Sequence, residues 1–87
     1  MTRSQVTART KGAVRRWAGL PPNARVLLDD KLADLRPGGL NALLVKINGE
    51  FAGESGFPIS ANDWSNLSPK TVRNVRDEVL KRVGGSS

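Results

Sequence analysis

The chain contains no histidine, no cysteine and no tyrosine. Most acid–base and nucleophilic catalysts act through one of these side chains, so their absence removes most catalytic arrangements. Without cysteine there can be neither a disulfide nor a thiolate metal site, and we expect a cytoplasmic protein rather than one from an oxidising compartment. The adjacent carboxylates Asp29-Asp30 point about 100° apart on a helix, and solvation explains them better than a metal site. The sequence therefore predicts no enzyme, no metal and no cofactor.

Long apolar runs and aromatic residues are also scarce. No run approaches the roughly 18 residues that a membrane span needs, so no membrane partner is expected. The 87 residues, 38% of them hydrophobic, can bury one small core but not a deep cleft for a small-molecule substrate. Aromatics make up only 5% of the chain, which leaves little to stack on RNA bases.

Positive charge is concentrated at one end of the chain. Residues 1–28 contain no acid, and they supply the whole net charge of +6, because basic and acidic side chains balance over residues 29–87. Such a segment suits the neutralisation of phosphates, which releases condensed counterions. A solvated tail and an organellar transit peptide are alternative interpretations.

Three parts follow from this composition. Residues 1–12 offer little to bury and are expected to form a flexible basic arm. Residues 13–84 carry the apolar periodicity of a single helical domain, and residues 85–87 are expected to be a disordered tail.

Helical spacing of apolar residues predicts the elements of that domain. A short helix from Ala13 ends before Pro21, and Asn23 caps a second helix to about Leu35. The second helix is expected to bury Ala24, Leu27, Leu28, Leu32 and Leu35.

The next segment, residues 40–53, allows two interpretations. Its apolar residues fit a helix at every step, whereas Asn48-Gly49 is also the preferred centre of a hairpin turn. We favour the helix. Ser60 or Asn62 is then expected to cap a single turn through Trp64.

The strongest pattern lies in residues 67–84. Ser68 and Pro69 are suited to the cap and first position of a helix, and Gly84 to its C-terminal cap. Its inward positions are Val72, Val75, Val79, Leu80 and Val83. Its outward polar face consists of Lys70, Arg73, Asn74, Asp77 and Lys81, with Arg76 and Arg82 on the flanks. The fold class predicted is all-α: a compact bundle of four to five short helices, with a helix-turn-helix-like C-terminal pair and a basic N-terminal arm.

Leu67-Ser68-Pro69-Lys70-Thr71-Val72-Arg73-Asn74-Val75, followed by Val79-Leu80-Lys81-Arg82-Val83-Gly84, resembles the recognition helix of the LuxR/GerE helix-turn-helix family. A similar start occurs in the helical arm-type domains of tyrosine recombinases. The resemblance to the first family implies that Arg73, Asn74 and Asp77 face base edges while Lys70 and Thr71 meet the backbone. The chain departs from that pattern at Val75, where the family usually has histidine, and at Arg76, where it has a buried aliphatic residue.

The expected function is that of a small DNA-binding regulator or accessory protein, with double-stranded DNA as partner. Helix 68–83 would make the groove contacts, and the basic arm would contact phosphates. The predicted binding residues are Lys70, Thr71, Arg73, Asn74, Asp77, Lys81, Arg3, Arg9, Lys11, Arg15 and Arg16.

Two alternatives stay open. The chain could be a non-enzymatic protein-interaction module, an inhibitor or adaptor whose basic face docks on an acidic protein and whose tryptophans serve as anchors. The basic helix could also be an ordinary amphipathic helix of any protein. A homodimer is a further open partner, since helix-turn-helix modules usually bind in pairs.

Overall fold

Five α-helices form the regular structure of residues 2–54 and 56–83, the parts of the chain that the computed structural model describes. They are α1 (Arg3–Ala18), α2 (Leu32–Leu35), α3 (Leu40–Glu50), α4 (Ala61–Asn66) and α5 (Val72–Arg82). Within those residues there is no strand, and the isolated antiparallel bridge joins Lys31 to Thr71. The prediction of a compact all-α bundle of four to five short helices is confirmed.

The longest helix, α1, packs against both α3 and α5. It begins with a capping box in which Thr2 Oγ1 accepts from the Gln5 amide at 3.1 Å and Gln5 Oε1 accepts from the Thr2 amide at 2.8 Å. Its inward face consists of Val6, Thr10, Ala13, Val14 and Trp17, all buried. These positions repeat at helical spacing from the first turn to the last.

The prediction of a flexible arm over residues 1–12 is therefore wrong for residues 3–12, which are the first half of α1. The physical reason is that Val6 and Thr10 extend the apolar stripe of the following residues by two turns. Two such positions among many polar ones carry little weight in the sequence, but both are fully buried in the fold.

The second predicted helix, from Asn23 to Leu35, is also wrong over most of its length, because only Leu32–Leu35 is helical. Backbone groups of the preceding loop bond to the start of α5 instead: Arg73 N donates to Leu28 O at 2.8 Å and Val72 N to Asp30 O at 3.1 Å. Asp30 also accepts from the Leu27 amide at 2.9 Å.

The residues that this loop buries differ from those that the predicted helix would bury. Leu27, expected in the core, is 50% exposed, and the neighbouring Val26 is buried in its place. A helical pattern cannot predict this exchange, since the loop is positioned by its backbone bonds to Val72 and Arg73 of α5.

The third segment is helical, so the helix is the correct choice over a hairpin for residues 40–50. Asn48 and Gly49 both lie inside α3. The Asn48 side chain forms two bonds with the Ile59 backbone: Oδ1 accepts from N at 2.8 Å, and Nδ2 donates to O at 3.2 Å. Asn48 thus links α3 to the segment that leads into α4.

Of the N-terminal caps predicted for the last two helices, one is correct and one is wrong. Ser60 caps α4 by accepting from the Asp63 amide at 3.2 Å, as one of the two predicted caps. The predicted cap Ser68 is wrong, since α5 begins at Val72 and is capped by Thr71. The backbone before Thr71 makes other bonds: Leu32 N donates to Lys70 O at 3.0 Å, and Thr71 N donates to Pro69 O at 3.0 Å.

The inward face of α5 agrees with its predicted positions. Val72, Val75, Val79 and Leu80 are buried, and Val83 packs partly against the core. The predicted cap Gly84 and tail 85–87 lie outside the described residues.

The docking of α1 is testable at Thr10, whose buried hydroxyl has no hydrogen-bond partner among the described residues. Valine has nearly the same shape without the unsatisfied group. We expect Thr10→Val to raise the free energy of unfolding by about 1 kcal/mol, measured by urea denaturation. The same change at Thr7, whose hydroxyl accepts from Arg76, should not stabilise the protein. No effect of Thr10→Val would contradict the burial of an unsatisfied hydroxyl at this position.

The Asn48 link is testable with a matched control on the same helix. Asn48→Ala leaves the Ile59 amide without its acceptor and should lower the free energy of unfolding by about 1–3 kcal/mol. Asn41 is exposed on α3, and Asn41→Ala should be neutral or slightly stabilising because alanine favours helix. Equal thermal denaturation midpoints for the two variants would contradict the role of Asn48.

Candidate nucleic-acid interface

The cations of α1 lie on two separate flanks of the helix. Arg3, Thr7, Lys11 and Arg15 follow one another at every fourth position and form one line, here called the α1 stripe. Arg9 and Arg16 are seven residues apart, so they share the other flank, where Arg16 pairs with Glu50 of α3 at 3.0 Å. The predicted phosphate-binding residues therefore do not form one surface.

The α1 stripe borders a groove of about 420 Å³ between α1 and α5, here called the α1/α5 groove. Its lining contains four cations, two hydroxyls and no carboxylate, and consists of Arg3, Ser4, Thr7, Ala8, Lys11, Arg15 and Arg76. Six of these residues come from α1, whereas Arg76 belongs to α5. The fold thus adds a cation from the far end of the chain to three predicted ones.

Arg76 was expected on the outward flank of the helix and was not assigned to the site, and the structure corrects both points. It is only 8% exposed, and it stands at a position whose spacing on α5 matches the core-facing residues. Its Nε donates to Asp77 Oδ1 at 2.7 Å, and its Nη1 donates to Thr7 Oγ1 at 3.1 Å. The sequence signal was present, because Arg76 replaces the buried aliphatic residue of the resembled family.

Arg15 is also held in place by the fold. Its Nε donates to the carbonyl oxygen of Ala24 at 2.6 Å, which fixes the guanidinium at the end of the α1 stripe. Lys11 lies one turn before it. Like charges at this spacing repel by about 0.2–0.5 kcal/mol, so the stripe gathers positive charge at some expense to the helix itself.

The predicted polar face of α5 is largely accessible, but several of its side chains have partners within the protein. Arg73 pairs with Asp29 at 2.8 Å, with side chains that are 48% and 84% exposed. Asn74 Nδ2 donates to the Pro69 carbonyl, and Asp77 accepts from Arg76. Lys81 is exposed, with no hydrogen-bond or ion-pair partner among the described residues.

Two residues predicted to contact the backbone of DNA have structural roles. Thr71 is the cap of α5, accepting from the Asn74 amide at 3.2 Å. Lys70 Nζ donates to the Leu67 carbonyl and lies 6.0 Å from the centre of the Trp64 ring. Both side chains are half-buried. Their hydrogen bonds hold the backbone at the start of α5.

Arg82, the last residue of α5, joins this helix to α4. It bonds Asp63 at 2.7 Å, Glu78 at 2.6 Å and the Gly56 carbonyl at 2.8 Å. The hydrogen bond from Arg82 holds the pKa of Asp63 below its ordinary value, even though partial desolvation acts in the opposite direction. This cluster fixes α4 beside the last turn of α5.

Both tryptophans belong to the core. Trp17 and Trp64 are each 2% exposed. Trp17 Nε1 donates to the Gly39 carbonyl at 2.7 Å, and Arg36 covers its ring at 5.6 Å from the centroid. Neither indole is available as a surface anchor.

Within residues 2–54 and 56–83, no helix has the length and apolar character needed to cross a membrane. No group of three or more potential metal ligands comes together in the same part of the chain. Comparison with protein-family models, curated proteins and solved structures finds no match to this chain.

The Asp63–Arg82 contact predicts a pH dependence of stability. A carboxyl whose pKa is lowered in the folded state stabilises the fold above its unfolded pKa, and this contribution is lost as the pH falls through the folded value. Asp63→Asn should therefore lower stability most near neutral pH, and the difference from the parent protein should shrink in acid. Thermal denaturation from neutral pH to about pH 3 measures this difference. Asp34→Asn, at an exposed carboxylate without an ion pair among the described residues, should show much less pH-dependent difference. A constant effect of Asp63→Asn over that range would contradict the ion pair.

Proposed function

We propose that this protein binds double-stranded DNA without catalysing a reaction on it. The observation that carries the proposal is the α1/α5 groove, in which four cations from both ends of the chain meet without a carboxylate in the lining. A duplex carries a dense line of phosphates, and a cationic surface of this kind neutralises them by releasing counterions.

The exposed side of α5 supports a contact with base edges. Arg73, Asn74, Asp77 and Lys81 occupy an arc of about 100° on the helix, on the side away from the buried valines. A helix of about 10–12 Å diameter fits a major groove about 12 Å wide. In this arrangement Arg73 would pair with guanine, and Asn74 would pair with adenine after exchanging its bond to the Pro69 carbonyl, each giving about 1–3 kcal/mol of discrimination.

Arg73 is available for such an exchange although it has a partner in the free protein. Its pair with Asp29 is exposed on both sides, and exposed pairs contribute only about 0–1 kcal/mol. A guanine edge offers two acceptors to the same guanidinium. The membership of the LuxR/GerE family stays a prediction, as does the pairing of α4 and α5 as a helix-turn-helix.

The proposed interface is smaller than the set of residues predicted from sequence. It keeps Arg3, Lys11 and Arg15 for phosphates and adds Arg76. It omits Arg9 and Arg16, which lie on the flank of α1 toward α3, and it assigns Lys70 and Thr71 to the start of α5.

A protein-interaction module could use the same cations, but the tryptophans expected to anchor its partner are buried. Buried indoles cannot supply the aromatic contacts that dominate many protein interfaces. Among the described residues, the large hydrophobic side chains that are exposed are Leu27, from the loop before α2, and Val45, from α3. Neither lines the α1/α5 groove.

A mobility-shift titration tests DNA binding. The folded protein should shift random duplex DNA at about 50 mM salt and bind markedly less at about 200 mM. Arg73→Ala should relax the sequence preference obtained by selection from a randomised duplex. Arg25→Ala removes an exposed arginine outside the interface and should leave the preference unchanged.

Failure of the folded protein to shift any duplex at the lower salt would reject the proposal. A stable complex with an acidic protein, formed without DNA binding, would instead support the interaction module.

A further inference from the structure

The nearly buried Arg76 has more donors than the protein satisfies. A guanidinium carries five N–H groups, and two of them are used, by Asp77 and Thr7. Among the described residues no acceptor bonds its Nη2 atom. Nη2 is not among the buried polar atoms left without a partner in the described residues, and Arg76 lines the α1/α5 groove, so an acceptor in the groove can bond this atom.

The surroundings select an anion as that acceptor. Lys11 and Arg15 line the same groove from α1, and Arg15 is held by the Ala24 carbonyl. The Thr7 hydroxyl accepts from Arg76 Nη1, which fixes the plane of the guanidinium. Asp77 offsets only one of the positive charges, and it bonds the Nε side of Arg76.

We propose that the α1/α5 groove binds one phosphate group, with Arg76 as its central ligand and Lys11 and Arg15 as the charges that line the groove from α1. Arginine suits this role because its planar donors match two phosphate oxygens at once. Thr7 is a positioning residue that orients Arg76. The inference rests on the proposed function when the phosphate belongs to a DNA backbone, and the same chemistry would hold the phosphate of a small molecule.

The groove has a size consistent with this ligand. About 420 Å³ is ample for a phosphate with its nearest substituents, and it lies toward the small end of the range of about 300 to 1,000 Å³ that small-molecule sites occupy. Because the groove is open along α1, a DNA backbone can lie in it while one of its phosphates contacts Arg76.

Inorganic phosphate and pyrophosphate are the probes for the site itself. In ¹H–¹⁵N spectra of the full chain, they should shift the Arg76 side-chain signal and the amides of Thr7 and Lys11, whereas sodium chloride of equal ionic strength should not. Lys11→Ala should weaken this binding about tenfold, as expected for the loss of one charge-assisted contact. Lys46→Ala, at an exposed lysine on α3, is the matched control and should bind as the parent does.

Duplex binding separates the roles of the three residues. Lys11→Ala should lower the slope of log K against log salt by about one. Arg76→Lys keeps the charge, so the slope should stay while affinity falls about tenfold through loss of the paired donors. Thr7→Val should weaken affinity without changing the slope, because it alters only the orientation of Arg76. Lys11 and Thr7 keep the test decisive if Arg76→Lys does not fold.

The outcomes distinguish this inference from the proposed function. Phosphate shifts in the groove together with the three effects on duplex binding support both. Phosphate shifts without duplex binding support the site and identify a free phosphate compound as its ligand, while the DNA proposal fails. Duplex binding that is unaffected by Lys11→Ala and Thr7→Val, with no phosphate shifts in the groove, overturns the site and leaves DNA binding intact.

Discussion

The burial of one side of α1 is the constraint on which the rest of the molecule depends. Val6, Val14 and Trp17 span the length of this helix and are buried against the core. Each such side chain contributes about 1.5–3 kcal/mol on burial. Since α1 packs on both α3 and α5, its position decides where the other long helices lie and which surface between them stays open.

The packing of α1 also arranges the cations of the α1 stripe on one surface, although their mutual repulsion is unfavourable. The α1 stripe carries three cations and α1 contains no acid to offset them. A flexible arm would spread these charges in solution, whereas the helix holds them at fixed spacing along the α1/α5 groove. The burial of the apolar side of α1 thus keeps the cations of the α1 stripe close together in spite of their repulsion.

Arg76 connects the core to this surface. Its position on α5 is one that burial would normally give to an aliphatic side chain, and its long stem allows the carbon atoms to be covered while the guanidinium reaches the groove. Asp77 and Thr7 then fix the head group from two helices. A phosphate site and part of the core are consequently built from the same residue.

The sequence by itself determined the helical class, the inward face of α5, and the concentration of charge in the first third of the chain, because these depend on local periodicity and on composition. It did not determine the first half of α1, where Val6 and Thr10 are too few to signal a buried face until α3 and α5 cover them. Nor did it determine the loop before α2, whose Leu28 and Asp30 carbonyls accept from the Arg73 and Val72 amides of α5. Only the tertiary structure decided that Arg76 lines the same groove as Lys11 and Arg15, since residues about sixty positions apart become neighbours only when the helices that carry them pack.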